Sequence, residues 1–303
     1  MKLSALHEKL TRFKATRTIA LAQAADPEVL KAVKHTLDMN LAGFRLFGDA
    51  GHIRTYAEEV GLDLDQGKIE VFHTENFEEA AQRAVQDVHQ KKADVLMKGN
   101  LSTKQILKQV LNKEHGLRTS RVLSHVAVFE IPEENRLIYL TDAAMNLTPD
   151  LKTKAEIIQN AVDVYRKVDQ NTPKVAALAA VEVVNPSMPA TIDAAALSQM
   201  QKRGQIKDCI VDGPLAFDNA VSVQSVHEKG IKSEVAGQAD ILVVPELETG
   251  NALYKSFIYF AGAKVASVIS GATAPIVLTS RSDTHESKLY SIILGLLTAE
   301  HNK

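Results

Sequence analysis

The sequence has few of the residues on which several protein classes depend. Its 303 residues include one cysteine, Cys209, so it can form no intramolecular disulfide and no Cys-based zinc site. Such a chain suits a reducing compartment, and we expect the cytoplasm. No segment approaches about 18 uninterrupted apolar residues, and the N-terminus lacks the apolar core of a signal peptide. The sequence therefore predicts a protein that is neither exported nor inserted in a membrane.

An excess of charge of one sign is also lacking. The chain carries 35 Lys and Arg residues against 37 Asp and Glu residues, for a formal net charge of -2 at pH 7. Because the two signs are mixed along the chain, a broad nucleic-acid-binding face is not expected. Any polyanionic ligand must be bound by a local basic cluster.

Two common cofactor motifs are missing. The ten histidines are scattered singly, without the HxH or HExxH spacing that places two imidazoles together, and we interpret them as surface or core residues. No GxGxxG dinucleotide fingerprint occurs. Residues 250–256 superficially resemble a phosphate loop, but Tyr254 stands where a glycine must precede the lysine. Nucleotide hydrolysis is therefore not predicted.

The sequence does contain strand-like and helix-like segments in alternation from end to end. This pattern is typical of an α/β protein, in which helices cover a mostly parallel sheet. Three helix starts carry capping signals: Asp26 with Pro27 and Glu28, Asn76 with Glu79, and Ser102 with Gln105.

A length of 303 residues, about twice that of a typical domain, predicts two domains. Residues 122–129 and 137–141 are apolar runs on either side of a polar turn, which predicts an antiparallel excursion in the sheet. Residues 142–149 then interrupt the regular alternation. We expect the change of domain there.

The most informative local feature is the segment at residues 275–281, Pro-Ile-Val-Leu-Thr-Ser-Arg, just before a helical pattern. It predicts a buried parallel strand whose carboxyl end presents Ser280 and Arg281, the position where open α/β sheets bind ligands. A following helix N-terminus and a permanently charged guanidinium would hold a phosphate or acyl phosphate. The alternative is a solvated arginine beside a turn serine.

A second group of basic residues comprises Lys98, Lys104, Lys108, Arg118 and Arg121. Lys98 directly follows an apolar run at residues 94–97, so it should also lie at a carboxyl end of the sheet. The alternative is a solvated helix face, since Lys104 and Lys108 are four residues apart.

Asp283 and Glu286 are carboxylates within one helical turn of Arg281. Their spacing ahead of an apolar-periodic helix is typical of a capping box, and we expect at least one of them to cap that helix. A carboxylate at a helix start beside an arginine also stays ionised and can accept a proton.

Four segments together resemble the phosphate acetyltransferase/phosphate butyryltransferase family, and the length resembles its butyryltransferase branch. They are residues 94–100 (DVLMKGN), 212–218 (DGPLAFD), 237–251 (GQADILVVPELETGN) and 278–281 (LTSR). The resemblance implies two α/β domains like those of isocitrate and isopropylmalate dehydrogenases, with the active site in the interdomain cleft. The C-terminal segment returns to the first domain in that architecture, so we expect domains of residues 1–145 with 270–303 and of residues 146–269.

The implied reaction is reversible acyl transfer between coenzyme A and phosphate, by direct attack in a ternary complex. Coenzyme A is then a substrate, and the resemblance implies neither a metal nor an organic cofactor. We expect acyl-CoA and phosphate or acyl phosphate as partners, no nucleic acid or membrane, and a homo-oligomer of at least two chains.

The resemblance also implies residue roles. Arg281 matches the phosphate-binding arginine, and Ser280 matches the serine that stabilises the transition state. The family's aspartate, seven residues after that serine, is replaced by Ser287, so Glu286 and Asp283 become the candidates for the base. We further expect the phosphate- and CoA-binding residues to include Lys98, Asn100 and Asn251.

Three alternatives stay open at this point. The first is an acetyltransferase, because one methylene in an apolar pocket discriminates by only about 1 to 3 kcal/mol. The second is a metal- and NAD-dependent hydroxyacid dehydrogenase of the same architecture, although the required aspartate cluster is not found in the sequence. The third is a protein that binds CoA or phosphate without turnover.

Overall fold

The computed structural model describes residues 2–12, 17–278 and 284–299. The strands are β1 (Arg17–Ala22), β2 (Ala42–Gly48), β3 (Ile69–His73), β4 (Val95–Lys98), β5 (Ser124–Glu130), β6 (Leu137–Thr141), β7 (Lys174–Leu178), β8 (Ile210–Leu215), β9 (Ile241–Val243), β10 (Lys264–Ser270) and β11 (Ile276–Leu278). The helices are α1 (Ser4–Thr11), α2 (Pro27–Asp38), α3 (Ala50–Val60), α4 (Phe77–His89), α5 (Thr103–Val110), α6 (Leu151–Val168), α7 (Pro189–Lys202), α8 (Phe217–Val221), α9 (Val223–Lys229), α10 (Leu247–Tyr259) and α11 (His285–Thr298). Their alternation confirms the predicted α/β class.

The chain forms two compact units. The first comprises Ser4–Arg121 and Ala266–Lys303, and the second comprises Met1–Leu3 and Val122–Val265. The units therefore divide at Val122, whereas we expected the change of domain at residues 142–149. The reason is strand pairing: β5 and β6 pair with each other and β6 pairs with β9, so both belong to the second unit.

The first unit contains strands in the order β3-β2-β1-β4-β11-β10. All neighbours are parallel except β10, which runs antiparallel to β11. Ala22 at the end of β1 and Leu278 at the end of β11 both stand opposite Lys98 at the end of β4. These three strand ends form what we call the carboxyl edge of the first unit.

The predicted helix starts of this unit are confirmed by their caps. The Asp26 carboxylate accepts the Val29 backbone N–H at 3.0 Å, with Pro27 as the first helical residue of α2. Asn76 caps α4 in the same way. Ser102 and Gln105 form the complete capping box of α5. Each cap satisfies helix N–H groups that the helix itself leaves unpaired.

Helix α11 packs on the sheet and runs from its carboxyl edge to its amino edge. A Cβ on Gly295 would lie 2.7 Å from Cγ2 of Val277, so this turn of α11 presses directly on β11. At the end of the helix, Arg17 Nη2 donates to the Ala299 carbonyl at 3.3 Å. Because Arg17 begins β1, the first turn of α11 lies toward the carboxyl edge.

The second unit contains strands in the order β5-β6-β9-β7-β8. β5 and β6 are antiparallel, as the sequence predicts, and the other pairs are parallel. Phe129 on β5 packs edge-to-face against Tyr254 and Phe257 of α10, at centroid distances of 5.3 and 5.1 Å. None of the described helices combines the length and the apolar character that a bilayer crossing requires.

Candidate active site

Three of the predicted catalytic residues, Ser280, Arg281 and Asp283, lie outside the described residues. The described chain reaches Leu278 on one side of them and resumes at Thr284 on the other. Leu278 stands opposite Lys98, and α11 begins directly after Thr284. The strand that leads to Ser280 and Arg281 is therefore adjacent to the strand that carries Lys98.

Lys98, one of the predicted site residues, is buried at the carboxyl edge. Its side chain is 9% exposed. Its Nζ donates to the carbonyls of Gly99 at 3.3 Å and Leu101 at 3.1 Å. A buried ammonium costs free energy unless hydrogen bonds and negative charge compensate it. Lys98 is therefore an attractive anchor for an anion, in line with its predicted role.

The two residues after Lys98 bind the neighbouring strand end through their backbone. Gly99 N–H donates to the Ala22 carbonyl at 2.8 Å, and Asn100 N–H donates to the Gln23 carbonyl at 2.9 Å. Gln23 adopts a left-handed φ of 59°, which turns its carbonyl toward this loop. A Cβ on Gly99 would lie 2.1 Å from that oxygen, so only glycine fits. Lys98 and Asn100 are thus brought together at the edge.

The first turn of α11 differs from the predicted capping box. Thr284 is the cap, and its Oγ1 accepts the Ser287 backbone N–H at 3.1 Å. The capping interpretation of Asp283 and Glu286 is therefore wrong by one residue, because a threonine already occupies the cap position. Glu286 is exposed in the first turn, where Tyr290 Oη donates to its carboxylate at 3.1 Å. Its position at the positive end of the helix dipole favours a carboxylate.

The rest of the basic group lies on the surface. Lys104, Lys108, Arg118 and Arg121 are exposed, and Lys108 Nζ forms an ion pair with Glu78 at 2.7 Å. The solvated-face alternative therefore fits these four residues. Lys98 differs from them because it ends a strand instead of lying on a helix or a surface loop.

Asn251, the third predicted binding residue, belongs to the second unit. It lies on α10, where its Nδ2 donates to the Ala143 carbonyl at 3.4 Å. The neighbouring Gly250 brings α10 close to the end of β6, since a Cβ there would be 2.5 Å from the Asp142 carbonyl oxygen. Asn251 therefore lies against the turn that follows β6 in the second unit, whereas Lys98 and Asn100 belong to the first unit.

That turn is organised by Asp142, a residue that the sequence analysis treated only as part of an interruption. Asp142 is 3% exposed. Its Oδ1 accepts the backbone N–H groups of Ala144 and Met145, both at 3.0 Å, while Oδ2 accepts Nδ2 of Asn146 at 2.6 Å. The sequence does contain a signal for this turn. An Asp that directly follows a strand is typical of an Asx turn, in which its carboxylate accepts the backbone N–H of a residue shortly after it.

His125 lies beside this turn. Its backbone N–H donates to Asp142 Oδ1 at 3.2 Å, and its ring meets Tyr254 edge-on at 5.8 Å. Burial lowers the pKa of His125, with the Asp142 charge opposing that effect. The imidazole is therefore neutral at pH 7, and it adds no positive charge to the end of β6.

The carboxyl edge of the first unit has the properties of an anion site. It combines a buried ammonium, a backbone loop that follows β4, and the N-termini of α2, α5 and α11, whose N–H groups and dipoles favour negative ligands. Across residues 2–12, 17–278 and 284–299, no three His, Cys, Asp or Glu side chains are grouped as metal ligands would be. The ammonium, the backbone N–H groups and the helix dipoles of this edge are suited to a phosphoryl group.

Known proteins match the chain over nearly its whole length. The family model described as "Phosphate acetyl/butaryl transferase" matches residues 2–86 and 75–296. The "Probable phosphate butyryltransferase" of Bacillus subtilis is 54% identical over 300 residues, which cover 99% of this chain and 99% of that relative. The "Phosphate acetyltransferase" of Thermotoga maritima is 42% identical over 283 residues, covering 93% of this chain and 95% of that relative.

Solved structures agree with these matches. A branched-chain phosphotransacylase from Enterococcus faecalis superposes with a TM-score of 0.83 at 36% identity, over 95% of this chain and 100% of its own. A 4-hydroxythreonine-4-phosphate dehydrogenase from Klebsiella pneumoniae superposes with a TM-score of 0.56 at 13% identity, over 94% of this chain and 100% of its own. The dehydrogenase likeness extends to the fold alone.

Proposed function

Because the chain belongs to the phosphate acetyltransferase and butyryltransferase family, and is therefore a phosphate acyltransferase, we propose a specific reaction for it. The reaction is butyryl-CoA + phosphate = butyryl phosphate + CoA, with coenzyme A as a substrate. The observation that carries the choice of acyl group is the order of similarity. The Bacillus relative, whose name specifies butyryl transfer, shares more residues with this chain than the Thermotoga relative, whose name specifies acetyl transfer.

The chemistry needs three groups in the direction of acyl-CoA synthesis. The CoA thiol loses a proton, the thiolate attacks the carbonyl carbon of butyryl phosphate, and the C–O bond to phosphate breaks as the tetrahedral oxyanion collapses. We assign Arg281 to the phosphoryl group, which it can bind through two charge-assisted hydrogen bonds. Ser280 donates a hydrogen bond to the developing oxyanion. Lys98 and Asn100, at the end of the neighbouring strand, support phosphate binding.

Glu286 is our candidate for the base. Its carboxylate lies in the first turn of α11, five residues after Arg281, and Thr284 performs the capping that we expected of Glu286 or Asp283. A carboxylate at this helix start can accept a thiol proton. Asp283 is the second candidate, because it precedes the same helix start.

The acyl preference is tested by phosphate-dependent release of free CoA thiol from acetyl-, propionyl-, butyryl- and isobutyryl-CoA. We expect kcat/KM to peak at four carbons and to fall at least about 30-fold for acetyl-CoA, because two methylenes, each contributing at least about 1 kcal/mol, are lost from an apolar pocket. A peak at acetyl-CoA would establish the acetyltransferase alternative instead. Nicotinamide reduction with hydroxyacids, followed by absorbance, tests the dehydrogenase alternative on the same preparation.

The base is tested by the pH dependence of Glu286→Gln. A thiol with a pKa of about 8.5 is only about 3% ionised at pH 7, so loss of its base can slow the reaction by at most about 30-fold. We expect kcat to fall about tenfold at pH 7 and to approach the wild-type value near pH 9, where the thiol ionises by itself.

Thr284→Ala is the matched control for this test. It removes the cap of the same helix, so it should lower the free energy of unfolding by about 1 kcal/mol and leave the pH profile unchanged. Asp283→Asn is measured in parallel. If that variant shows the pH-dependent loss and Glu286→Gln does not, the base is Asp283 and our assignment is wrong.

Two broader expectations from the sequence stay predictions. We expect the enzyme to be a homo-oligomer, which sedimentation of the purified protein would reveal. We also expect it in the cytoplasm, where acyl-CoA and phosphate are both available as substrates.

A further inference from the structure

Lys288 is a buried lysine on the sheet-facing side of α11. Its side chain is 7% exposed. It lies three residues before Ser291 and seven before Gly295, so the three share one helix face. That face contacts the sheet, because Ser291 Oγ accepts the Ser267 backbone N–H at 3.0 Å and Gly295 presses on Val277. A lysine therefore occupies a position where the helical pattern predicts an apolar side chain.

The position of Lys288 along the helix brings it to the carboxyl edge. Gly295 lies over Val95 as well as Val277. Lys288 is seven residues earlier, about 10 Å toward the start of α11 at 1.5 Å per residue. Lys98 is three residues after Val95, again about 10 Å at 3.3 Å per residue in the same direction. Lys288 and Lys98 are therefore at the same level of the sheet.

The two lysines approach this edge from opposite faces. Side chains alternate between the faces along a strand, so Lys98 points away from the face on which Val95 meets α11. Lys288 extends from α11, on the Val95 face. A ligand at the edge can therefore be contacted by one lysine side chain from each face of the sheet.

Lys288 forms no ion pair with any carboxylate of residues 2–12, 17–278 and 284–299. Within the described part of the chain, no acceptor lies within hydrogen-bond distance of its Nζ. The neighbouring carboxylate is Glu28 of α2, which already pairs with Lys31 at 2.6 Å. That hydrogen bond is the main cause of the lowered pKa of Glu28, and Lys288 and His285 add smaller effects.

This location is unfavourable for a cation in the protein alone. Lys288 is in the second turn of α11, near the positive end of the helix dipole, and most of its stem is removed from water. An anion at the carboxyl edge would reverse both effects. A lysine at this position thus fits a ligand more readily than it fits a structural role.

We propose that Lys288 is a phosphate-binding residue, whose Nζ donates to an oxygen of inorganic phosphate or of the phosphoryl group of acyl phosphate. The proposal rests on the acyl transfer proposed above. Phosphate groups of CoA share this chemistry, but we assign the residue to the transferred phosphate because Lys288 lies at the edge to which the strand before Ser280 and Arg281 leads.

The test compares Lys288→Met with the wild-type enzyme in steady-state kinetics. Methionine keeps the length and fills the buried space without the charge. We expect KM for inorganic phosphate to rise about 10- to 100-fold, the equivalent of one lost charge-assisted hydrogen bond. KM for butyryl-CoA should stay within about twofold of the wild-type value, because the lost hydrogen bond contributes to the binding of phosphate and not to that of butyryl-CoA. Lys288→Arg should recover most of the phosphate affinity.

The melting temperature separates this role from a structural one. Methionine keeps the apolar contacts of the buried lysine stem, so the variant should be about as stable as the wild-type protein. Lys31→Met, which removes an exposed lysine near Glu28, is the matched control, and its KM for phosphate should stay within about twofold of wild type. If Lys288→Met does not fold, Lys288→Gln is measured instead.

Three outcomes would overturn the proposal. An unchanged KM for phosphate in Lys288→Met would remove the residue from the site. A rise in KM for butyryl-CoA that is absent with butyryl-pantetheine, which lacks the phosphate groups of CoA, would assign Lys288 to a phosphate of CoA. Equal rises in KM for phosphate in Lys31→Met and Lys288→Met would show that the effect comes from the overall positive potential and not from a specific contact.

Failure of the acyl-transfer proposal would look different. Wild-type protein would then release no thiol from any acyl-CoA, whatever the variants do. Calorimetric titration of wild-type and Lys288→Met protein with inorganic phosphate still decides whether this lysine binds the anion. Weaker binding to the variant would support the site, and identical binding would refute it.

Discussion

Replacing Arg281 with alanine is expected to lower kcat/KM by about two to four orders of magnitude, or about 3 to 5 kcal/mol of transition-state stabilisation. The negative charge of the phosphoryl group is fully expressed as the C–O bond breaks, and the guanidinium is the partner that we assign to it. Steady-state assays in both directions measure the loss. Because phosphate is bound in the ground state as well, part of the loss should appear in KM for phosphate.

Two further variants sharpen this test. Arg281→Lys keeps the charge but not the planar fork, so it should recover only part of the activity. Arg118→Ala is the matched control, since that arginine belongs to the second group of basic residues and its side chain is exposed. Near-wild-type activity of Arg281→Ala would refute the phosphate assignment. Equal losses in the two alanine variants would show that net charge, not a specific contact, matters.

Much of the fold was predictable because its signals are local. Asp26, Asn76 and Ser102 predicted helix starts that the structure confirms, since a cap depends on residues three positions away. The boundary between the units could not be predicted from local signals. It depends on the pairing of β6 with β9, which are about a hundred residues apart in the chain, a distance over which periodicity carries no information.

The candidate site was predictable in part for a related reason. Lys98 was found because a residue that ends a buried strand has its location fixed by the strand. The Asp142 turn was noticed only as an irregularity, although its carboxylate organises the chain after β6. Lys288 was not predicted, because the apolar periodicity that identifies α11 carries no information about a charged residue on the same face. A charged residue at a core position of a helix is a signal worth recording in its own right.

The cap of α11 shows where such sequence reasoning fails. A capping box at Asp283 and Glu286 and a cap at Thr284 with Ser287 differ by one residue, and both sets have suitable side chains. Propensity cannot choose between them, because aspartate and threonine are both good caps. The choice depends on where the chain leaves β11, which is a property of the sheet.

The second large effect is expected from Gly99→Ala. The added Cβ would lie 2.1 Å from the Gln23 carbonyl oxygen and 2.8 Å from that of Ala22. Both are backbone atoms of the adjacent strand end, so no side-chain rotation can relieve the contact. The two loops must separate, which should cost about 3 kcal/mol of unfolding free energy. Separation also weakens the hydrogen bonds that fix Asn100, so kcat/KM should fall about 100-fold, as expected when a site is displaced by about 1 Å.

Urea unfolding and steady-state kinetics on the same preparation measure both effects, and Gly51→Ala is the matched control. That glycine lies in α3, where the nearest atom to an added Cβ is a carboxylate oxygen of Asp49 at 3.2 Å, on a side chain that can move. Its unfolding free energy should change by no more than about 1 kcal/mol. Wild-type stability and activity in Gly99→Ala would mean that the strand ends are not in close contact. Lost activity at full stability would instead place the Gly99 backbone itself against the substrate, because a new methyl group would then block the ligand and leave the fold intact.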